Sequence, residues 1–191
     1  MKIVLASGSP RRRKILTEMG FDFEIAVADV VEDIIPGETP AGHVIRLSGN
    51  KAEKVAVGYP DDMVVGADTA VVLDGVILGK PESEKEAFEM LLKLSGKAHT
   101  VFTGITVMVM NEKIRRSGFD RTDVTFNELS ETQVSEYVSS GEPLDKAGSY
   151  GIQGMGSFLV KSYAGEIDTV IGFPSKLFKK MYTEVRSCLS L

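Results

Sequence analysis

Three features of this sequence predict a mixed α/β fold, with a β-sheet flanked by helices. Short apolar, β-branched runs alternate with segments that open on helix-start signals. At least one strand pair is joined by a tight turn, Asp74-Gly75, a connection that only antiparallel neighbours can use. The composition is ordinary for a globular chain: 191 residues, 43% apolar and 26% charged, enough to bury a core without disulfide or metal staples. No repeat, low-complexity tract or linker interrupts it, so residues 1–191 read as one domain.

The elements follow in order. Lys2 to Ala6 is a short buried strand ended by Ser7-Gly8-Ser9. Ser9 caps a helix with Pro10 at its first position, and Gly20 stops it after Met19. Phe21 to Val27 alternates as a strand, and a polar loop follows. Thr39-Pro40 repeats the cap-plus-proline signature for a helix ending near Gly58. Met63 to Leu73 is a buried-looking strand that turns at Asp74-Gly75 into Val76. Ser83 with Glu86, and Ser130 with Gln133, have capping-box spacing for helices ending near Gly96 and Gly141. Between them lie a long strand from His99 to Met110 and a partner from Ile114 to Phe126. A glycine-rich stretch, Ala147 to Gly156, precedes a last helix opened by Pro174.

Charge and cysteine usage narrow the function. With 22 basic against 27 acidic side chains, the net charge of −5 argues against a nucleic-acid surface, which needs a basic stripe to displace counterions. No run approaches the ~18 apolar residues of a membrane span. The apolar run Ile3 to Ala6 is too short for a signal peptide before it meets Arg11-Arg12-Arg13, and the single Cys188 suits a reducing compartment. A cytoplasmic protein is expected.

Three residue settings then carry chemistry. A helix start normally attracts acids, yet this first turn holds Arg11, Arg12, Arg13 and Lys14 after the exposed amides and hydroxyls of Ser7-Gly8-Ser9. That describes an anion site, phosphates above all, although successive helical positions diverge and Arg13 or Lys14 should be solvated surface charge. Asp68 lies among Val64, Val65, Ala67, Ala70, Val71 and Val72, where a carboxylate is costly unless paired, hydrogen-bonded or metal-bound. The setting favours a functional carboxylate over the structural alternative, a strand-end aspartate satisfied by backbone amides. Lys51 shares a helical stripe with Val44, Leu47 and Val55, so it either snorkels to solvent or points its ammonium into a pocket. Continuing the hairpin count places Lys80 opposite Thr69, so Asp68 and Lys80 lean to opposite faces unless a bulge intervenes. The two histidines, His43 and His99, have no cysteine partners nearby, and His99 reads as a cap or core-edge residue rather than a base.

In this order the residues resemble the Maf family of nucleoside triphosphate pyrophosphatases. The matching pieces are Leu5-Ala-Ser-Gly-Ser-Pro-Arg-Arg, Arg46-Leu47 with Lys51-Ala52, Gly66-Ala-Asp-Thr, Gly79-Lys-Pro, Leu94-Ser-Gly, Thr103-Gly104, and Gly141-Glu-Pro through Tyr150-Gly-Ile-Gln-Gly. The resemblance implies a mixed sheet with two lobes around a cleft, like that of the inosine triphosphatases. It also implies a divalent cation, Mg²⁺ or Mn²⁺, and hydrolysis of a nucleoside triphosphate to monophosphate and pyrophosphate. It makes Asp68 the proton acceptor and a metal ligand with Glu32, and makes Ser7, Arg11, Arg12, Lys51 and Lys80 substrate-binding residues. Val31 stands where an aspartate is common in the family. Arg11, Thr69 and Gln153 match positions tied to base choice, and Asp68-Thr69 resembles the dTTP/UTP subgroup. Two other functions fit the same resemblance: a nucleotide-binding regulator of cell division without turnover, and a pyrophosphatase for modified or non-canonical nucleotides. The partner expected is a nucleoside triphosphate, with no nucleic acid or membrane, and a homodimer is the ordinary expectation for assembly.

Overall fold

The computed structural model describes residues 1–189. The strands are β1 (Ile3–Leu5), β2 (Phe23–Ile25), β3 (Met63–Leu73), β4 (Val76–Leu78), β5 (Ala98–Val109), β6 (Ile114–Phe126) and β7 (Val160–Ala164). The helices are α1 (Pro10–Glu18), α2 (Pro40–Ala56), α3 (Glu84–Leu94), α4 (Glu131–Ser139), α5 (Ile167–Ile171) and α6 (Ser175–Cys188). The sheet order is β2-β1-β3-β5-β6-β7, with β4 beside β3. The β1–β2 and β1–β3 pairs are parallel, while β3–β4 and β6–β7 are antiparallel. The predicted mixed sheet is therefore present.

Most boundaries follow the local signals. Ser9, Thr39, Ser83 and Ser130 accept backbone N–H groups at the starts of their helices, and Gly20 takes a positive φ after α1. Asp74 and Gly75 both have positive φ, as a two-residue hairpin turn requires, and Leu73 pairs with Val76. One signal is spent differently from expectation. Glu86 accepts the backbone N–H of Glu82 at 2.7 Å rather than closing the box on Ser83. The Ser130–Gln133 box is complete. The strand β7 and the short α5 have no counterpart among the expected elements. Val160 to Ala164 is mostly exposed and lacks the apolar alternation that marks a strand, so only its pairing with β6 reveals it.

The chain divides into two compact units. The first comprises Met1–Asp68, Thr103–Asp120 and Gly172–Leu191, and the second Thr69–Phe102 and Arg121–Ile171. In the first, Val4, Ala6, Ala52, Val55, Ala56, Val64 and Met108 form a core in which α2 lies on the sheet. Two glycines set how closely it lies. A Cβ on Gly66 of β3 would overlap the Ser48 carbonyl oxygen and meet Ala52 N at 2.9 Å, and one on Gly104 of β5 would overlap the Val44 carbonyl. Val44, Ser48 and Ala52 are four residues apart, one face of α2 resting on bare strand backbone. The second unit packs α3 and α4 over Val71, Leu73, Val101, Val124 and Phe126.

His99 belongs to this second core. It is only 4% exposed, stacks edge-on with Phe126 and Tyr150, and has its Nε2 2.7 Å from the Tyr150 hydroxyl. Burial lowers its pKa from the ordinary 6.5 to about 4, with Asp123 opposing weakly. The folded state holds the ring neutral where the unfolded chain would bind a proton, so stability is full above 6.5 and is lost as the pH falls toward 4. The loss amounts to roughly 3 kcal/mol at the acid end. A thermal melt series across that range should show a steep fall in Tm for wild type and a flatter one for His99→Gln. Equal slopes would show that another group controls the acid transition.

Candidate active site

Within the first unit, three elements converge on one cluster. Gly66 and Asp68 are two residues apart on β3, so Asp68 projects to the side on which Gly66 admits α2. Lys51, next to Ala52 at that contact, reaches across, and its Nζ donates to Asp68 Oδ1 at 2.6 Å. The same Nζ lies 2.6 Å from Glu32 Oε1, carried by the loop between β2 and α2. Asp68 is 6% exposed and Lys51 7%, whereas the Glu32 side chain is about two-fifths exposed. The snorkelling alternative for Lys51 is thereby excluded. Its ammonium is the point on which two carboxylates meet, which answers what partners Asp68 in an apolar strand.

The start of α1 supplies the neighbouring cation. Arg12 donates from Nε to the Gly172 carbonyl at 2.9 Å and from Nη1 to Ser7 Oγ at 3.1 Å. Ser7 also accepts the Ser9 backbone N–H at 3.2 Å, so this buried hydroxyl ties the loop to the guanidinium. Burial pushes the Arg12 pKa down, the fields of Asp68 and Glu32 push it up, and Arg11 pushes it down again. Arg12 thus joins Ser7, Arg11, Glu32 and Asp68 to one neighbourhood within this unit, and Lys51 joins it through Asp68 and Glu32. Arg13 and Lys14 are exposed, and Lys14 pairs with Glu18 at 3.8 Å on the helix surface, as helical divergence predicts.

Sequence reasoning did not single out a brace on the Glu32 loop. Glu38 receives Arg46 in a two-pronged bond, Nε to Oε1 at 2.8 Å and Nη2 to Oε2 at 2.7 Å, and Arg46 also holds the Asp33 carbonyl at 2.9 Å. The Arg46 bonds hold the Glu38 carboxyl below its usual range, while Arg46 is raised by Glu38 first and by Asp68 in part. No periodicity connects a residue outside α2 with one inside it. Only Arg46's place in the Arg46-Leu47 motif hinted at a role.

The second unit holds Thr69, Lys80 and Gln153. The β3–β4 ladder ends at Val71–Leu78, so the hairpin count does not extend to a Thr69–Lys80 pair. The Gly79 carbonyl instead accepts the Gly148 N–H at 3.0 Å. Lys80 and Gln153 are exposed, and Thr69 is half-buried.

The donor set suits a hard cation. The two carboxylates face one point, held by the Lys51 ammonium, and oxygen donors of this kind match the chemistry of Mg²⁺ or Mn²⁺ better than that of zinc. Among the described residues, no three His, Cys, Asp or Glu side chains gather to form a complete cage. Among the same residues, no helix is long and apolar enough to cross a membrane.

An α/β chain with cationic groups at the start of α1 and a buried carboxylate on β3 carries the residue types that handle phosphates. Comparison with known families places it: the Maf-like protein model matches residues 2–185, and the chain belongs to that family. A dTTP/UTP pyrophosphatase of Bacillus cereus (strain AH820) is 47% identical over 181 residues, 94% of each chain. A protein of the same name from Syntrophus aciditrophicus (strain SB) is 46% identical over 173 residues, 91% of this chain and 84% of that one. Among solved structures, the Staphylococcus aureus Ham1 protein overlaps with a TM-score of 0.47 at 17% identity, covering 67% of this chain and 73% of that one.

Proposed function

We propose that this protein is a nucleoside triphosphate pyrophosphatase acting on dTTP and UTP, and that residues 1–191 work as one catalytic domain. The observation that carries the reading is the buried Asp68 carboxylate, held at 2.6 Å by Lys51 beside the Arg12 guanidinium. Relatives named for this reaction align over 94% of the chain. A protein that only bound nucleotide would gain little from a carboxylate beside a polyanion, which disfavours a regulator without turnover.

Hydrolysis at the α-phosphorus needs a water aimed and deprotonated, and positive charge for the pyrophosphate that leaves. Asp68 orients the water and takes its proton. Lys51 fixes the orientation of the Asp68 carboxylate and, with Arg12, Arg11 and Ser7, offers donors to phosphate oxygens. Asp68 and Glu32 would hold the Mg²⁺ or Mn²⁺ ion. When bound, the ion supplies charge neutralisation on the triphosphate. Resemblance assigns Lys80 to phosphate binding and Arg11, Thr69 and Gln153 to base choice. The Gln153 amide, with one acceptor and two donors, can match the alternating O–N–O edge of uracil or thymine.

Pyrophosphate release from a panel of nucleoside triphosphates with Mg²⁺ tests this reading. UTP and dTTP should show higher kcat/KM than ATP or GTP, because a mismatched base leaves polar groups unpaired. Gln153→Ala should shrink the UTP/GTP ratio by about tenfold rather than lower all rates together. Equal kcat/KM for UTP and GTP in wild type would refute the pyrimidine preference. No pyrophosphate from any nucleotide would refute the activity itself.

A further inference from the structure

Gln153 sits in an exposed loop whose ends are held by two side chains, Tyr137 and Glu142, to which no role has been given above. The loop begins at Gly151, whose N–H donates to the Tyr137 hydroxyl at 3.1 Å. That hydroxyl donates in turn to Glu142 Oε1 at 3.0 Å, and Glu142 Oε2 accepts the Met155 N–H at 3.3 Å. The chain of bonds brackets Gln153, with Gly151 on one side and Met155 on the other. Its base is rigid. Tyr137 is 2% exposed on the inner face of α4 with Val134 and Val138, and its ring meets Phe158 edge-on. Glu142 is fixed from behind by its own N–H to Ser140 Oγ at 3.2 Å and by Lys146 Nζ on its carbonyl.

Space around the loop is equally tight. A Cβ on Gly151 would come within 3.0 Å of Glu142 Oε1, and one on Gly156 would overlap the Gly151 carbonyl and sit 2.7 Å from the Tyr137 hydroxyl. The backbone here wraps the Tyr137–Glu142 pair closely enough that a side chain at position 156 is excluded and one at position 151 would press on Glu142. Loops without such ties sample many conformations.

We propose that Tyr137 and Glu142 are positioning residues for base selection, setting the conformation in which Gln153 meets the nucleotide base. This rests on the reading of Gln153 given above. A selective amide must be held in one orientation, because a freely rotating one offers donors and acceptors to every base alike. The brace touches backbone N–H groups on either side of Gln153, so it acts through the loop without touching the nucleotide.

The test compares kcat/KM for UTP and GTP in Tyr137→Phe and Glu142→Gln, each alone and combined with Gln153→Ala. Phenylalanine keeps the ring and deletes only the hydroxyl. Glutamine keeps the shape but has one accepting oxygen where two are used. Each single variant should lower the UTP/GTP ratio by about 3- to 10-fold, the worth of one hydrogen bond. In the Gln153→Ala background neither should lower it further. Amide hydrogen exchange at Gly151 should speed up in Tyr137→Phe, and at Met155 in Glu142→Gln, whichever nucleotides are hydrolysed. A ratio that holds while both rates fall equally would reduce the pair to a structural role and overturn the proposal. So would a further drop of the same size in the Gln153→Ala background, or unchanged exchange at both amides. A wild type with a UTP/GTP ratio of one and a silent Gln153→Ala would instead refute the base-choice reading itself, and the specificity role with it.

Discussion

Asp68→Asn is expected to lower kcat by ~10²–10⁴-fold, the usual cost of removing a general base, while triphosphate binding and the fold persist. The asparagine carbonyl can still accept from Lys51, which donates at 2.6 Å to Oδ1 in the native protein, and the amide group is close in size to the carboxylate. Lys51 also keeps Glu32 at 2.6 Å, so its buried ammonium is not left unpaired. What disappears is the capacity to take a proton and one of the two carboxylates that would hold a cation. Steady-state kinetics with UTP, nucleotide titration and a thermal melt separate these quantities. A variant with near-native kcat would move the base elsewhere. A variant with native-like binding and no turnover would leave Asp68 as the residue that drives the chemical step.

Gly66→Ala should produce a large loss of stability from a single methyl group. The added Cβ would overlap the Ser48 carbonyl oxygen and press on Ala52 N at 2.9 Å and Ala52 Cβ at 3.1 Å. Neighbours that are helix backbone cannot swing aside as a side chain does, so either α2 lifts from the sheet or β3 bends. A cost of about 3 kcal/mol or more is expected, at the upper end for overpacking. In a chain of this size that lowers Tm by about 6–12 °C. Activity should suffer beyond the stability loss, because Lys51 leaves α2 beside Ala52 and Asp68 follows Gly66 by two residues, so displacing the helix opens the 2.6 Å Lys51–Asp68 contact. Thermal unfolding together with kcat/KM at a temperature where the variant is fully folded checks both parts. A Tm within a degree of wild type would mean that the close approach of α2 to β3 is looser than the geometry implies.

Much of this molecule is legible from local chemistry. A side-chain oxygen ahead of a proline or an acidic turn marks where a helix begins, whatever the helix packs against, and Ser9, Thr39, Ser83 and Ser130 all mark true starts. Asp74-Gly75 determines its hairpin for the same reason, since positive φ at both residues is a property of the residues themselves. The site was visible as a set of violations: basic residues at a helix start, an aspartate in an apolar strand and a lysine on an apolar stripe. Each is costly alone, so each announced an absent partner.

The partners are what only the tertiary structure decided. Sequence alone left Lys51 between solvent and pocket. The choice was made by Gly66 and Gly104, distant in the chain, which let α2 approach until the ammonium lies under Asp68 and Glu32. The brace of Glu38 by Arg46, the hold of Gly172 on Arg12 and the Tyr137–Glu142 tie on the Gln153 loop join residues with no periodic relation. Strand β7 likewise exists because β6 offers it a ladder, not because its own residues favour one. Local propensity acts over a few neighbouring residues and can be read in order along the chain. Ion pairs and close packing depend on distance in space, and that distance is set only when separate segments have been folded against each other.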